Sequence, residues 1–173
     1  MPRHVVLIGL PGAGKTTIAR LLAERLRAPF VDPDAIIVRK MQKPVTRIFA
    51  EDGETKFRAL ELETMRAVLA GPPSVIAPGG GWAAQPGAVQ AARAVGYLVY
   101  IRTMALTAAK RSGVDGNRPL LVGEDPVEKM RILLKEREAF YLQADAEVKA
   151  DVKSAALLAD EIAVLARAHA GWA

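Results

Sequence analysis

Residues 4–17, His-Val-Val-Leu-Ile-Gly-Leu-Pro-Gly-Ala-Gly-Lys-Thr-Thr, constrain the fold more than any other stretch of this chain. Val5 to Ile8 is an apolar run suited to a buried strand, it stops at Gly9, and a helical pattern begins near Lys15. Between them, Gly9-x-x-x-x-Gly14-Lys15-Thr16 has the spacing of a phosphate-cradling loop. Glycines let the backbone turn tightly and bring its N–H groups close to phosphate oxygens. The helix that follows offers unpaired N–H groups and the positive end of its dipole. Lys15 supplies a point charge for outer phosphates, and the Thr16 hydroxyl is a candidate Mg²⁺ ligand. An ordinary Gly-rich turn would match this spacing by chance in about one chain in a hundred or fewer. The flanking strand and helix patterns favour the phosphate loop further.

At 173 residues the chain is long enough for one domain with a sizeable core. There are no cysteines, so disulfides and thiolate metal sites are excluded, and a reducing compartment fits. With the loop strand starting by residue 4, no secretory leader is expected, and a cytoplasmic protein is. The longest charge-free stretch, Ala67 to Ala92, is interrupted by Gly71, Pro72, Pro73, Pro78 and Gly79–Gly81, which excludes a spanning helix there. The net charge of +5 suits anionic ligands. No Lys/Arg runs with interleaved aromatics point to nucleic acid.

Strand-like and helical stretches alternate, which predicts parallel βαβ units and a parallel sheet with helices on both faces. Helices are expected over 17–27, in one or two pieces over 35–51 broken at Pro44, and over 54–70, 85–94, 104–111, 126–142 and 154–168. Strands are expected at 29–31, 74–77, 96–101 and 147–152 beside the first. Asp125-Pro126-Val127-Glu128 is a strong helix start, with Asp125 as the cap. Residues 112–124 read as a polar, Gly-containing loop, bracketed by Arg111 and Arg118.

Charged residues fall on apolar helix faces in two places. At about 100° per residue, Phe57, Leu60, Met65 and Val68 define an arc that contains Arg58 and is centred near Glu61. Three residues apart, Arg58 and Glu61 can pair. In the 126–142 helix, Arg137 lies amid Met130, Leu133, Leu134 and Tyr141. A buried unpaired guanidinium costs several kcal/mol, so each Arg needs an anionic partner. That partner is an internal acid or an anionic acceptor in a cleft, whose carboxylate or phosphate would suit a planar fork. Asp32 and Asp34 lie just past a strand, where an α/β sheet places ligand groups. Facing a phosphate loop, one could support a Mg²⁺ shell and the other take a hydroxyl proton. Gly79-Gly80-Gly81 would let backbone approach a small ligand.

Taken in order, these pieces resemble the shikimate kinase family over nearly the whole chain. The matching segments are Gly9–Thr17, Asp32-x-Asp34, Ile48-Phe49-x-x-x-Gly53-Glu54-x-x-Phe57-Arg58-x-x-Glu61, Gly79-Gly80-Gly81, Arg118-Pro119-Leu120-Leu121 and Arg137-x-x-x-Tyr141. The resemblance implies a three-layer P-loop kinase fold with a five-stranded parallel sheet in order 2-3-1-4-5. It implies a single domain over 1–173, with a substrate-binding segment near 32–61 and a lid near 112–124. It implies ATP as co-substrate, Mg²⁺, and transfer of phosphate to the 3-hydroxyl of shikimate. On that pattern Gly12, Ala13, Gly14, Lys15, Thr16, Thr17, Arg111 and Arg118 contact ATP. Asp34, Arg58, Gly79, Gly80, Gly81 and Arg137 hold the acceptor. Lys15, Asp34 and Arg118 are the catalytic set, and Thr16 and Asp32 serve the metal. The expected partners are ATP and shikimate, without nucleic acid or membrane, and the chain is expected to be a monomer.

The chain departs from the family pattern at Pro33, Gln42, Ala77-Pro78 and Trp82. Pro33 and Pro78 are expected to stiffen two loops shaping the acceptor pocket, and Trp82 to add bulk beside it. The alternatives are another small P-loop kinase acting on a hydroxy acid such as gluconate and, in a different class, a nucleotide-operated binding module.

Overall fold

The structure, a computed structural model, describes residues 1–115 and 125–173. β1 (His4–Ile8) is buried at all five positions because it lies in the middle of the sheet and pairs on both edges. The other strands are β2 (Phe30–Val31), β3 (Val75–Ile76), β4 (Gly96–Arg102) and β5 (Ala146–Lys149). Every pairing is parallel and the spatial order is β2-β3-β1-β4-β5.

Side chains alternate along β1, so its residues serve two cores. Val5 and Leu7 pack with Ile18 and Leu22 of α1 (Lys15–Leu26) and with Leu158 and Ile162 of α8 (Ala155–His169). Val6 and Ile8 face the opposite layer, with Met65, Tyr100 and Tyr141. That layer includes α4 (Glu54–Leu69), α5 (Ala88–Val95), α6 (Ala105–Asp115) and α7 (Pro126–Tyr141). A third, small cluster of Ile37, Ile48, Phe57 and Leu60 joins α2 (Pro33–Met41), α3 (Val45–Asp52) and α4 beside the sheet.

Local chemistry accounts for most boundaries. Asp125 caps α7, its Oδ1 accepting from Val127 N–H at 3.0 Å, with Pro126 at the first helical position. Ser154 caps α8 in the same way. The differences from the sequence reading that bear on the site are these. Asp32 and Pro33 form no loop: Asp32 is the cap of α2, accepting from Ala35 N–H at 3.3 Å, and Pro33 opens the helix with its fixed φ already suitable. The segment after the glycine triplet is a 3₁₀ turn, Trp82–Ala84, and α5 starts only at Ala88. Residues 112–115 are the last part of α6 and not loop, while the rest of the expected 112–124 loop, Arg118 included, lies outside the described residues.

Tyr141 is fully buried at the end of α7, its ring stacked on Tyr100 at 5.2 Å, and its hydroxyl donates to the Gly80 carbonyl at 2.6 Å. This bond ties α7 to the glycine triplet. Tyr141→Phe leaves a buried carbonyl short of a donor, and the expected loss is about 1–3 kcal/mol. At this chain length that is a fall in melting temperature of about 2–4 °C per kcal/mol. An unchanged melting curve would show that the bond carries no weight.

Candidate active site

The phosphate loop lies between β1 and α1, in line with the apolar run that precedes it. Gly12 and Gly14 have φ of +79° and +86°, in the left-handed region. A Cβ on Gly12 would also run into the Ala108 carbonyl and the Ser112 hydroxyl of α6, so only glycine fits. Lys15 is buried and its ammonium donates to the Gly9 and Leu10 carbonyls, at 2.8 Å each. The sheet thus positions a cation inside the loop that it is to serve.

Two cavities open on this loop. The larger, about 870 Å³, is lined by Gly12, Gly14, Lys15, Thr16 and Thr17 on one side and by Asp32, Asp34, Ala77–Gly80 and Val45–Thr46 on the other. It brings together the phosphate loop, both aspartates, Gly79 and Gly80, while Gly81 is not in its lining. The smaller, about 520 Å³, lies behind the loop between Gly12–Gly14, Ile18, Arg111, Lys153 and Leu158. Arg111 spans its wall, donating to the carbonyls of Ala13 at 3.3 Å and Ala150 at 3.4 Å.

The charged groups on α4 form a unit. Glu61 is 0% exposed, at the centre of the apolar arc as the helix projection predicts. Its Oε1 accepts from Arg58 Nη1 at 2.9 Å and from Gln85 Nε2 at 2.7 Å. The Arg58 guanidinium also lies 5.5 Å and 5.9 Å from the ring centres of Phe57 and Phe49, which pack on each other at 4.7 Å. A Cβ on Gly81 would collide with that guanidinium, and one on Gly79 would lie 3.0 Å from Glu61 Oε2 and 3.4 Å from the Asp34 carboxylate oxygens. Arg58, Glu61, Asp34 and the triplet are therefore packed together, and of these Asp34, Gly79 and Gly80 line the larger cavity while Arg58, Glu61 and Gly81 stand behind its wall. Arg137 behaves differently: it lines neither of the two cavities, and among the described residues its buried Nη1 has no hydrogen-bond partner.

Trp82 does not crowd the cavity. It is 1% exposed and packs into the core with Leu10, Met65 and Tyr141, because the 3₁₀ turn swings it away. Gln85, Thr46 and Ser112 reach the site although nothing in the sequence singles them out. Their approach is set by non-local packing, and for Gln85 the only local signal is the following Pro86, which favours an extended backbone at 85.

The donor set also fits a hard cation. Among the described residues there is no cluster of three or more His, Cys, Asp or Glu, so no ready-made metal cage is offered. A hydroxyl and carboxylates facing a phosphate site are what Mg²⁺ uses, because it keeps most of its waters and takes ligands from phosphate. Thr16 and Asp32 line the same cavity and supply that set.

The sequence model of the shikimate kinase family matches residues 11–166. The chain belongs to the shikimate kinase family. Among curated relatives, the shikimate kinase of Moorella thermoacetica is 41% identical over 162 residues, covering 94% of this chain and 93% of that one. That of Thermobifida fusca is 48% identical over 136 residues, covering 79% and 78%. The shikimate kinase from Acinetobacter baumannii, solved in complex with shikimate, superposes with a TM-score of 0.91 at 34% identity, covering 97% of this chain and 94% of that chain. A gluconokinase from Sinorhizobium meliloti has a TM-score of 0.63 at 16% identity and so shares the fold alone. Among the described residues no helix is long and apolar enough to cross a membrane.

Burial pushes the Glu61 carboxyl above its ordinary value of 4.5, with Asp34 adding to the rise and with Arg58 and Gln85 opposing it. A raised value means that the folded chain holds this proton more tightly than the unfolded chain. The stability it contributes is full below 4.5 and is lost as pH rises through the raised value. Glu61→Gln removes the ionisation. Thermal melts of both proteins across this range are expected to show the parent losing stability relative to the variant as pH rises. Parallel curves would contradict a strained buried carboxylate.

Proposed function

We propose that this family member transfers the terminal phosphoryl group of ATP to the 3-hydroxyl of shikimate. The observation that carries the reading is that Asp34, Gly79 and Gly80 line the cavity opposite the phosphate loop, with the Arg58–Glu61 pair packed directly behind Gly79 and Gly81. An acceptor with a carboxylate at one end and a hydroxyl at the other bridges that gap. Family membership and the 34% identical Acinetobacter enzyme, solved with shikimate, support this choice.

In this reading the loop N–H groups of Gly12, Ala13, Gly14, Thr16 and Thr17 hold the ATP phosphates, and Arg111 flanks the base in the smaller cavity. Lys15 moves its ammonium from the Gly9 and Leu10 carbonyls to the outer phosphates. Thr16 would ligate Mg²⁺ and Asp32 support its water shell; when bound, the ion neutralises charge on the phosphates. Asp34 orients the acceptor hydroxyl and accepts its proton. Arg58 and Arg137 grip the acceptor carboxylate, and Gly79, Gly80 and Gly81 present backbone to it. Arg118, outside the described residues, is assigned to the transferring phosphate on family pattern alone. The chain works as one domain, with an acceptor-binding segment over about 32–61.

Lys15→Met is expected to abolish turnover with native circular dichroism, and near-normal activity would refute the phosphate-loop role. Arg137→Ala is expected to raise KM for shikimate by roughly 10- to 100-fold, as a charge-assisted contact of about 1.5–3 kcal/mol implies. Melting temperature should change little, since no described acid is orphaned, and Arg137→Lys should recover only part of the affinity. If Arg137 is instead structural, the variant would lose about 3–5 kcal/mol of stability with KM unmoved.

A further inference from the structure

We propose that Gln85 is a positioning residue for the acceptor: through Glu61, its amide holds the Arg58 fork against Gly81, beside the cleft. The proposal rests on the reading of Arg58 as a carboxylate grip.

Gln85 ends the 3₁₀ turn, and its backbone does the capping, donating to the Trp82 carbonyl at 3.0 Å. Pro86 disfavours a helical residue before it, and Gln85 is extended, with φ −77° and ψ 142°. This ends the turn and leaves the side chain for another task. The amide reaches 24 residues back to Glu61, at 2.7 Å. Both described bonds of Glu61 fall on one oxygen, Oε1, which accepts from Arg58 and Gln85 together, whereas the buried Oε2 has no hydrogen-bond partner among the described residues.

That asymmetry gives the amide its effect. A carboxylate that is fully buried and engaged through one oxygen can rotate about its terminal bond, because that torsion is broad. Rotation would carry Oε1 away from Arg58. Gln85 comes from a different element than Arg58, so the two donors pin Oε1 from two directions. Of the charged groups facing Glu61, Arg58 on α4 attracts its anion and Asp34 on α2 repels it. Glu54 adds only a loose contact to the other side of Arg58, at 3.5 Å. Without Gln85 the buried anion would depend on Arg58 alone, against burial and Asp34. It would then take up a proton more readily and hold the guanidinium less well.

The test is Gln85→Met, which keeps length and removes the donors, with Gln85→Ala as a second variant. Both are assayed for shikimate binding by calorimetry and for KM of each substrate across acid to neutral pH. The expected result is a rise in shikimate Kd and KM of about 3- to 10-fold, the scale of one hydrogen bond to a charged group acting through a neighbour. KM for ATP should stay within about 2-fold. The acid limb of kcat/KM for shikimate should move to higher pH, since Glu61 loses a bond that favours its anion. In a Glu61→Gln background, Gln85→Met should add little and that limb should be gone. If the parent binds shikimate but the variants leave its affinity and the limb unmoved, the inference fails alone. It also fails if both substrates weaken together with the limb unmoved, the signature of a merely structural role. If the parent does not bind shikimate, the functional reading fails and the inference falls with it.

Discussion

The structure depends on β1 being buried on both faces and paired on both edges. A strand with no exposed side cannot slip register, since a shift of one residue would exchange its two cores. Its pairing with five consecutive residues of β4 fixes where it ends. The loop after it therefore starts from a rigid platform, and α1 is clamped against α8 by Ile18, Leu22, Leu158 and Ile162. Phosphate-binding N–H groups are useful only if they are held in place before the ligand arrives.

Opposite this rigid half lies a smaller assembly. The four-residue cluster of Ile37, Ile48, Phe57 and Leu60, with Met41 and Val45 packed against it, joins α2 and α3 to α4 beside the sheet. On it sits an ion pair whose acid is fully buried. Such pairs contribute little net stability, because desolvation offsets their attraction. The Arg58–Glu61 pair is better understood through what it positions: a guanidinium held by one acid and two rings, against a glycine that leaves room for it and nothing larger. Arg137, whose buried Nη1 has no partner among the described residues, shows the other half of the logic, a cation for which no described acid is provided.

The parts of this arrangement legible in the sequence are those that local physics dictates. Glycine spacing marked the loop because left-handed backbone at Gly12 and Gly14 admits few other residues. Helical periodicity put Glu61 at the centre of a buried arc, and the structure agrees. The strand order 2-3-1-4-5 came from family resemblance, since two-residue pairings such as those of β2 carry no pattern of their own. Asp32-Pro33 does not fix its own structure, because the same dipeptide opens turns and helices. The placement of Trp82 and Gln85 is not legible in the sequence for one reason: a 3₁₀ turn after the triplet reorients both, and no apolar period announces so short an element.

The central claim is that this cavity delivers phosphate to one acceptor. Its most direct test is coupled measurement of ADP release by the purified protein with ATP and Mg²⁺, alone, with shikimate and with gluconate, followed by phosphorus NMR of the product. The account predicts ADP release that depends on shikimate and a single phosphate monoester at its 3-oxygen. ADP release at the same rate without shikimate, or a preference for gluconate, would contradict it.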